Sequence, residues 1–191
     1  MSLESPAQRY AAAKKRGRGP NFAAFESTFD FVLDDFQREA CLALEKGDSL
    51  LVAAPTGAGK TIVGEFAAHL AITNGTKCFY TTPIKALSNQ KYAEFCEIYG
   101  HQNIGLLTGD SSINVDADVV VMTTEVLRNM IYVRSPALEK LQYVVLDEVH
   151  YLSDKFRGPT WEEILIHLSD EVITISLSAT VSNIEDFSAW I

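Results

Sequence analysis

The chain has 191 residues, 47% hydrophobic and 21% charged, with a net charge of −9. That suits one folded domain with a genuine core and excludes disordered, collagen-like and disulfide-scaffold classes. No apolar run approaches the ~18 residues of a membrane span, the first twenty residues lack the apolar region of a secretory signal, and Cys41, Cys78 and Cys96 form no zinc spacing with the four histidines.

Charge is uneven along the chain. Residues 1–20 carry five basic side chains and one acidic, a sum of +4, which leaves −13 for the rest. An acidic body argues against a sequence-independent DNA coat but leaves room for a narrow nucleic-acid groove. Residues 1–25, rich in Ala, Lys, Arg and Gly, read as a basic flexible tail, either a solvated arm or one that touches phosphates. The folded domain is expected over 26–191.

From Phe29 onward, β-branched runs alternate with helical patterns. Strands are predicted over 49–55, 77–83, 103–109, 118–124, 143–150 and 172–180, and helices over 60–73, 85–99, 125–131 and 160–168. Several of these strands are almost continuously apolar, as expected of a parallel sheet covered on both faces. The alternation predicts a doubly wound α/β sheet with helices on both faces, a three-layer sandwich. In such sheets ligands bind at the carboxyl ends of the strands.

Ala54-Pro55-Thr56-Gly57-Ala58-Gly59-Lys60-Thr61 follows the first strand and opens a helix, the context of a P-loop. Gly57 and Gly59 let backbone N–H groups surround phosphate oxygens, Lys60 can reach the β- and γ-phosphates, and the Thr61 hydroxyl can ligate Mg²⁺. Ala54 stands where the pattern has Gly. Tyr143-Val144-Val145-Leu146 then delivers Asp147 to a strand end, as a carboxylate for Mg²⁺. Glu148 follows, to orient or activate water. Before the first strand, an aromatic among Phe29, Phe31 and Phe36 can stack on a purine and Gln37 can read an adenine edge; a capped, hydrophobic helix start explains the same residues. No Asn-Lys-x-Asp segment is present, so ATP is expected rather than GTP.

Taken together, several segments resemble one family. Asp147-Glu148-Val149-His150 is a DExH box, and Ser178-Ala179-Thr180 ends the next strand as in motif III of superfamily-two helicases. Thr81–Lys91 resembles motif Ia; Leu107–Asp110 and Thr123–Arg128 resemble the motif Ib region; Phe31–Gln37 resembles the Q-motif segment. The Ia wording, with Arg157-Gly158 before Trp161-Glu162-Glu163, is similar to superkiller-type, exosome-assisting DExH RNA helicases and their bacterial HelY-like branch. The resemblance covers about residues 29–191. Pro55–Ala58 and Val149 depart from the usual His-Thr-Ser-Ala and Ile.

The resemblance implies a RecA-like fold and ATP-driven movement along single-stranded nucleic acid, usually RNA. It implies Phe31 on the adenine and Gln37 at its edge. It implies phosphate-backbone contacts from Pro83, Lys85, Asn89, Thr108, Gly109, Thr124 and Arg128. His150, Ser178 and Thr180 would couple the ATP state to a second lobe. The residue types suit a phosphodiester backbone, although ordinary turn chemistry accounts for each alone. For Trp161 packing is the favoured reading.

Such a motor needs a second RecA-like lobe with arginine fingers, and only Arg157 follows Asp147 among the arginines. The expectation is therefore the first lobe of a longer cytoplasmic helicase, monomeric, weak as an ATPase alone and unable to unwind. A P-loop kinase or switch NTPase would explain Lys60, Thr61 and Asp147 but not Glu148 with His150. A non-catalytic nucleotide-binding or partner module stays open, and ATP turnover separates it from the motor.

Overall fold

The computed structural model describes residues 19–153 and 158–179. Six strands form the parallel part of one sheet: β1 (Leu50–Ala53), β2 (Lys77–Thr82), β3 (Ile104–Leu107), β5 (Val119–Thr123), β6 (Leu141–Leu146) and β7 (Ile173–Ser178). A two-residue strand, β4 (Ser112–Ile113), pairs antiparallel with β3, and the order is β1-β7-β6-β2-β5-β3-β4. Because those six strands run the same way, the segments after β1, β2, β3, β5, β6 and β7 all emerge at one edge of the sheet. That edge collects the candidate site residues.

Strand residues alternate between two separate cores, as a period of two demands. Cys78, Tyr80, Val119, Val121, Tyr143, Val145, Ile175 and Leu177 face one cluster; Phe79, Val120, Met122, Val144 and Leu146 face the other. The first core is covered by α3 (Thr61–Asn74) through Val63, Phe66, Ala67 and Leu70, and by α4 (Lys85–Tyr99) through Phe95 and Cys96. The second is covered by α5 (Thr124–Tyr132) through Leu127 and by α6 (Gly158–His167) through Trp161 and Ile164. The result is the expected three-layer sandwich. Trp161, 1% exposed, packs into the core. Gly64 lets α3 approach the sheet: a Cβ there would lie 2.8 Å from Tyr80 Cε2 and 3.1 Å from Val145 Cγ1.

Two helices precede the sheet. The segment read as a tail over 1–25 overlaps α1 (Pro20–Glu26), so that boundary moves toward the N-terminus. Pro20 suits a first helical turn, the Glu45 carboxylate accepts the Asn21 N–H at 2.8 Å, and Phe22 and Phe25, three apart, bury one face in the first core. Next comes α2 (Asp35–Lys46), whose first turn is closed by a capping box between Asp34 and Gln37. An Arg38–Glu26 ion pair joins the two helices. The strand predicted over 143–150 stops at Leu146: Glu148 has φ +57°, and Val149–Ser153 form a 3₁₀ turn. Sequence patterning also missed β4, which is only two residues long. Gly105 permits it, since a Cβ there would lie 2.3 Å from the Asn114 carbonyl oxygen. Among the described residues no helix is long and apolar enough to cross a membrane.

Candidate functional site

The loop from Ala54 to Lys60 leaves β1 and enters α3. Gly57 and Gly59 have φ of +84° and +75°, a conformation that favours glycine, and between them the Ala58 N–H closes the turn on the Pro55 carbonyl at 3.1 Å. The loop is held from both sides. The Ala54 N–H donates to the Ser178 carbonyl at 3.3 Å, and Gln37 Nε2 donates to the Gly59 carbonyl at 3.1 Å. Lys60 Nζ donates to the Ala54 and Pro55 carbonyls at 2.7 and 2.9 Å, so the cation lies along the loop. Thr61 opens the 14-residue α3, where helix-terminal N–H groups favour an anion.

Asp147 leaves β6, and its N–H extends the ladder to the Thr81 carbonyl at 3.0 Å. Its two oxygens are both engaged: Oδ2 accepts from the Tyr80 hydroxyl and Oδ1 from the Glu148 N–H, each at 2.9 Å. Burial pushes its carboxyl above the usual carboxylate range, while the Tyr80 hydrogen bond pulls it down. Glu148 has a left-handed φ that a non-glycine residue adopts at a cost. His150 Nδ1 lies 3.1 Å from Glu148 Oε2. Thr61, Asp147 and Glu148 line one cavity of about 280 Å³ with Glu65, Thr82, Leu87, Gln90, Lys91 and Glu94. A helix-start hydroxyl and a half-buried carboxylate on one cavity, beside a glycine loop and its lysine, form a donor set that fits Mg²⁺ with a nucleotide phosphate.

The expected base-binding residues behave differently from each other. Phe31 is 53% exposed and ends a row of rings, 5.2 Å from Phe29, which is 5.1 Å from Phe25. It is free to stack. Gln37 is 4% exposed, and its amide serves the protein: Oε1 accepts the Asp34 N–H while Nε2 reaches the P-loop carbonyls. A Cβ at Gly59 would lie 2.5 Å from that Nε2.

The expected nucleic-acid residues share the same sheet edge but are mostly paired internally. Lys85 forms an ion pair with Asp110, which also accepts the Thr108 hydroxyl at 3.1 Å. Those hydrogen bonds, Lys85 first, hold the Asp110 carboxyl below its ordinary range. The buried Thr124 hydroxyl donates to the Thr82 carbonyl at 3.1 Å. Arg128 Nη1 sits 3.6 Å from Glu163 Oε2, joining α5 to α6. Pro83 is buried, whereas Asn89 and Gly109 are exposed. Of the coupling residues, Ser178 is 1% exposed beside the P-loop, opposite Ala53 in the ladder. Its Oγ has no hydrogen-bond partner among the described residues. Thr180 and Arg157 lie outside the described residues. Tyr80 and Glu65 carried no sequence signal, and Lys91 and Asp110 stood in the motif segments without a role of their own; the Tyr80–Asp147, Lys91–Glu65 and Lys85–Asp110 pairs join residues far apart in the chain.

Residues 34–187 match the family described as DEAD/DEAH box helicase. The chain is 64% identical over 167 residues to the Probable helicase HelY of Mycobacterium tuberculosis, covering 87% of this chain and 18% of that protein. It is 52% identical over 171 residues to the DExH-box ATP-dependent RNA helicase DExH15, chloroplastic, of Arabidopsis thaliana, covering 86% of this chain and 15% of that one. The chain thus spans less than a fifth of these relatives' length. Among solved structures, the helicase MrfA bound to DNA and AMPPNP superposes with a TM-score of 0.73 at 22% identity, over 91% of this chain and 28% of that one, which shows the RecA-like helicase fold. The chain belongs to the DEAD/DEAH box helicase family.

Proposed function

We propose that this chain is the ATP-binding lobe of a DExH-type helicase that moves along and unwinds nucleic acid, RNA in preference to DNA. The observation that carries the reading is the shared cavity in which Thr61, Asp147 and Glu148 meet. Gly57, Gly59 and the start of α3 bind phosphate oxygens, and Lys60 swings from the loop carbonyls to the β- and γ-phosphates. Thr61 and Asp147 would hold Mg²⁺, which when bound neutralises charge on the phosphates. Glu148 orients the attacking water and takes its proton, and His150, beside it, reports that state to a second lobe. Phe31 stacks on the adenine. Gln37 acts on the nucleotide through the loop it braces.

Pro83, Lys85, Asn89, Thr108, Gly109, Thr124 and Arg128 form the track for the sugar–phosphate backbone. The name of the Arabidopsis relative supports RNA as substrate. A second RecA-like lobe from outside these residues completes the ATP site and the groove. A cytoplasmic, reducing setting suits the three buried free cysteines.

The test is ATP hydrolysis by this chain and by the full-length protein, each with and without single-stranded RNA or DNA. The full-length protein should be stimulated by RNA and the 191-residue chain should turn over slowly. Glu148→Gln should lower turnover about 10²–10⁴-fold while ATP still binds. Fast hydrolysis by the chain alone, indifferent to nucleic acid, would overturn the reading.

A further inference from the structure

Beside Asp147, on the same cavity, lies a polar cluster that the proposed chemistry does not use. Tyr80, on β2 and fully buried, donates its hydroxyl to Asp147 Oδ2. Lys91, on α4 and 9% exposed, places Nζ 5.7 Å from the Tyr80 ring centroid and 5.4 Å from that of Phe95. The same Nζ lies 2.5 Å from Glu94 Oε2 and 3.8 Å from Glu65 Oε1. Glu65 belongs to α3, the helix that begins at the P-loop.

A lysine is costly to bury, and apolar side chains would join α3 to α4 at least as well. What a cation adds here is electrostatic. A positive charge over the face of a phenol draws on the ring's electron density and strengthens its O–H as a donor. The helix that carries Lys91 also begins with Lys85, in the segment assigned to the nucleic-acid track.

We infer that Tyr80 and Lys91 are positioning residues, which fix the Asp147 carboxylate for the divalent cation and tie it to the helix of the nucleic-acid track. The inference rests on the nucleotide site proposed above. Tyr80 acts directly on the carboxylate oxygen; Lys91 acts through Tyr80.

The test uses the full-length protein as wild type, Tyr80→Phe, Lys91→Met and Lys91→Arg, with folding checked by thermal melting. Mn²⁺ uptake in the presence of ADP is followed by electron paramagnetic resonance, and ADP affinity is measured separately without metal. Tyr80→Phe should raise the Mn²⁺ concentration for half-saturation about tenfold, the scale of lost metal-supporting hydrogen bonds. Lys91→Met should raise it by about threefold and Lys91→Arg should restore it, with metal-free ADP affinity steady in all four. Should Lys91→Met fail to fold, Tyr80→Phe and Lys91→Arg decide the matter. Unchanged Mn²⁺ affinity in Tyr80→Phe, or an equal loss of metal-free ADP binding, overturns the inference alone. A wild type that takes up no Mn²⁺ with ADP overturns the nucleotide site as well.

Discussion

The nucleotide end and the nucleic-acid end of the sheet edge are built on opposite plans. Around β1 and β6 the backbone sets the shape, with two glycines at positive φ, a left-handed Glu148 and ladder hydrogen bonds that run into the loop, and Gln37 and Tyr80 brace it. Around β2, β3 and β5 it resides in side chains that hold one another, as in Lys85 with Asp110, Thr124 with the Thr82 carbonyl and Arg128 with Glu163. A backbone cradle needs little rearrangement to receive a phosphate. A set of paired side chains must exchange partners before it can grip a phosphodiester, which makes the second region responsive to what binds it.

The sharpest way to break this contrast is Gly59→Ala. The added Cβ meets Gln37 Nε2 at 2.5 Å and sits at φ +75°, a conformation costing ~1–2 kcal/mol for a non-glycine residue. ATP affinity should fall about tenfold, by 1.4 kcal/mol per decade, with RNA affinity unchanged. Thr124→Val follows. It leaves a buried carbonyl without its partner and should lower unfolding stability by ~1 kcal/mol, measured by urea denaturation. Loss of RNA binding with full stability would show instead that the hydroxyl serves the ligand.

Asp110→Asn sharpens the comparison further by releasing Lys85. RNA affinity at low salt should rise about threefold, and the plot of log K against log salt should steepen by up to ~0.7, one extra phosphate contact. The smallest effect is one of pH. Burial among Phe25 and Phe66 lowers the His69 pKa below its ordinary 6.5, so the unfolded chain binds the proton more readily. That contribution is complete above pH 6.5 and is lost as pH falls through the folded-state value. His69→Gln should therefore flatten the fall in melting temperature below pH 6.5.

The backbone-built region was also the legible one. Ala54–Thr61 and Asp147–Glu148 are contiguous words whose chemistry follows from residue order, and the strand–helix alternation placed them at one edge. The side-chain region was legible only in location. Arg128 reads as a phosphate ligand, and nothing in its neighbourhood along the chain announces Glu163, 35 positions later, as its partner in the free protein. Gln37 reads as a base contact, and its bracing of the P-loop from the preceding helix shows only in three dimensions. The helix at Pro20–Glu26 was hidden by the basic composition upstream, although Phe22 and Phe25 already carried its spacing. Tyr80 sat within a predicted strand and Lys91 closed the motif Ia segment, neither with a role of its own; their significance lies in distances no one-dimensional pattern contains.

The most direct measurement is calorimetric titration of ATP with Mg²⁺ into this chain, as wild type and as Lys60→Ala, with single-stranded RNA affinity measured in parallel without nucleotide. One ATP site in the wild type, weakened about a hundredfold or more by Lys60→Ala while RNA affinity holds, is the predicted result, since a charge-assisted contact to phosphate is lost. ATP binding that survives Lys60→Ala, or that disappears together with RNA binding, would contradict a preassembled nucleotide cradle separate from the nucleic-acid track.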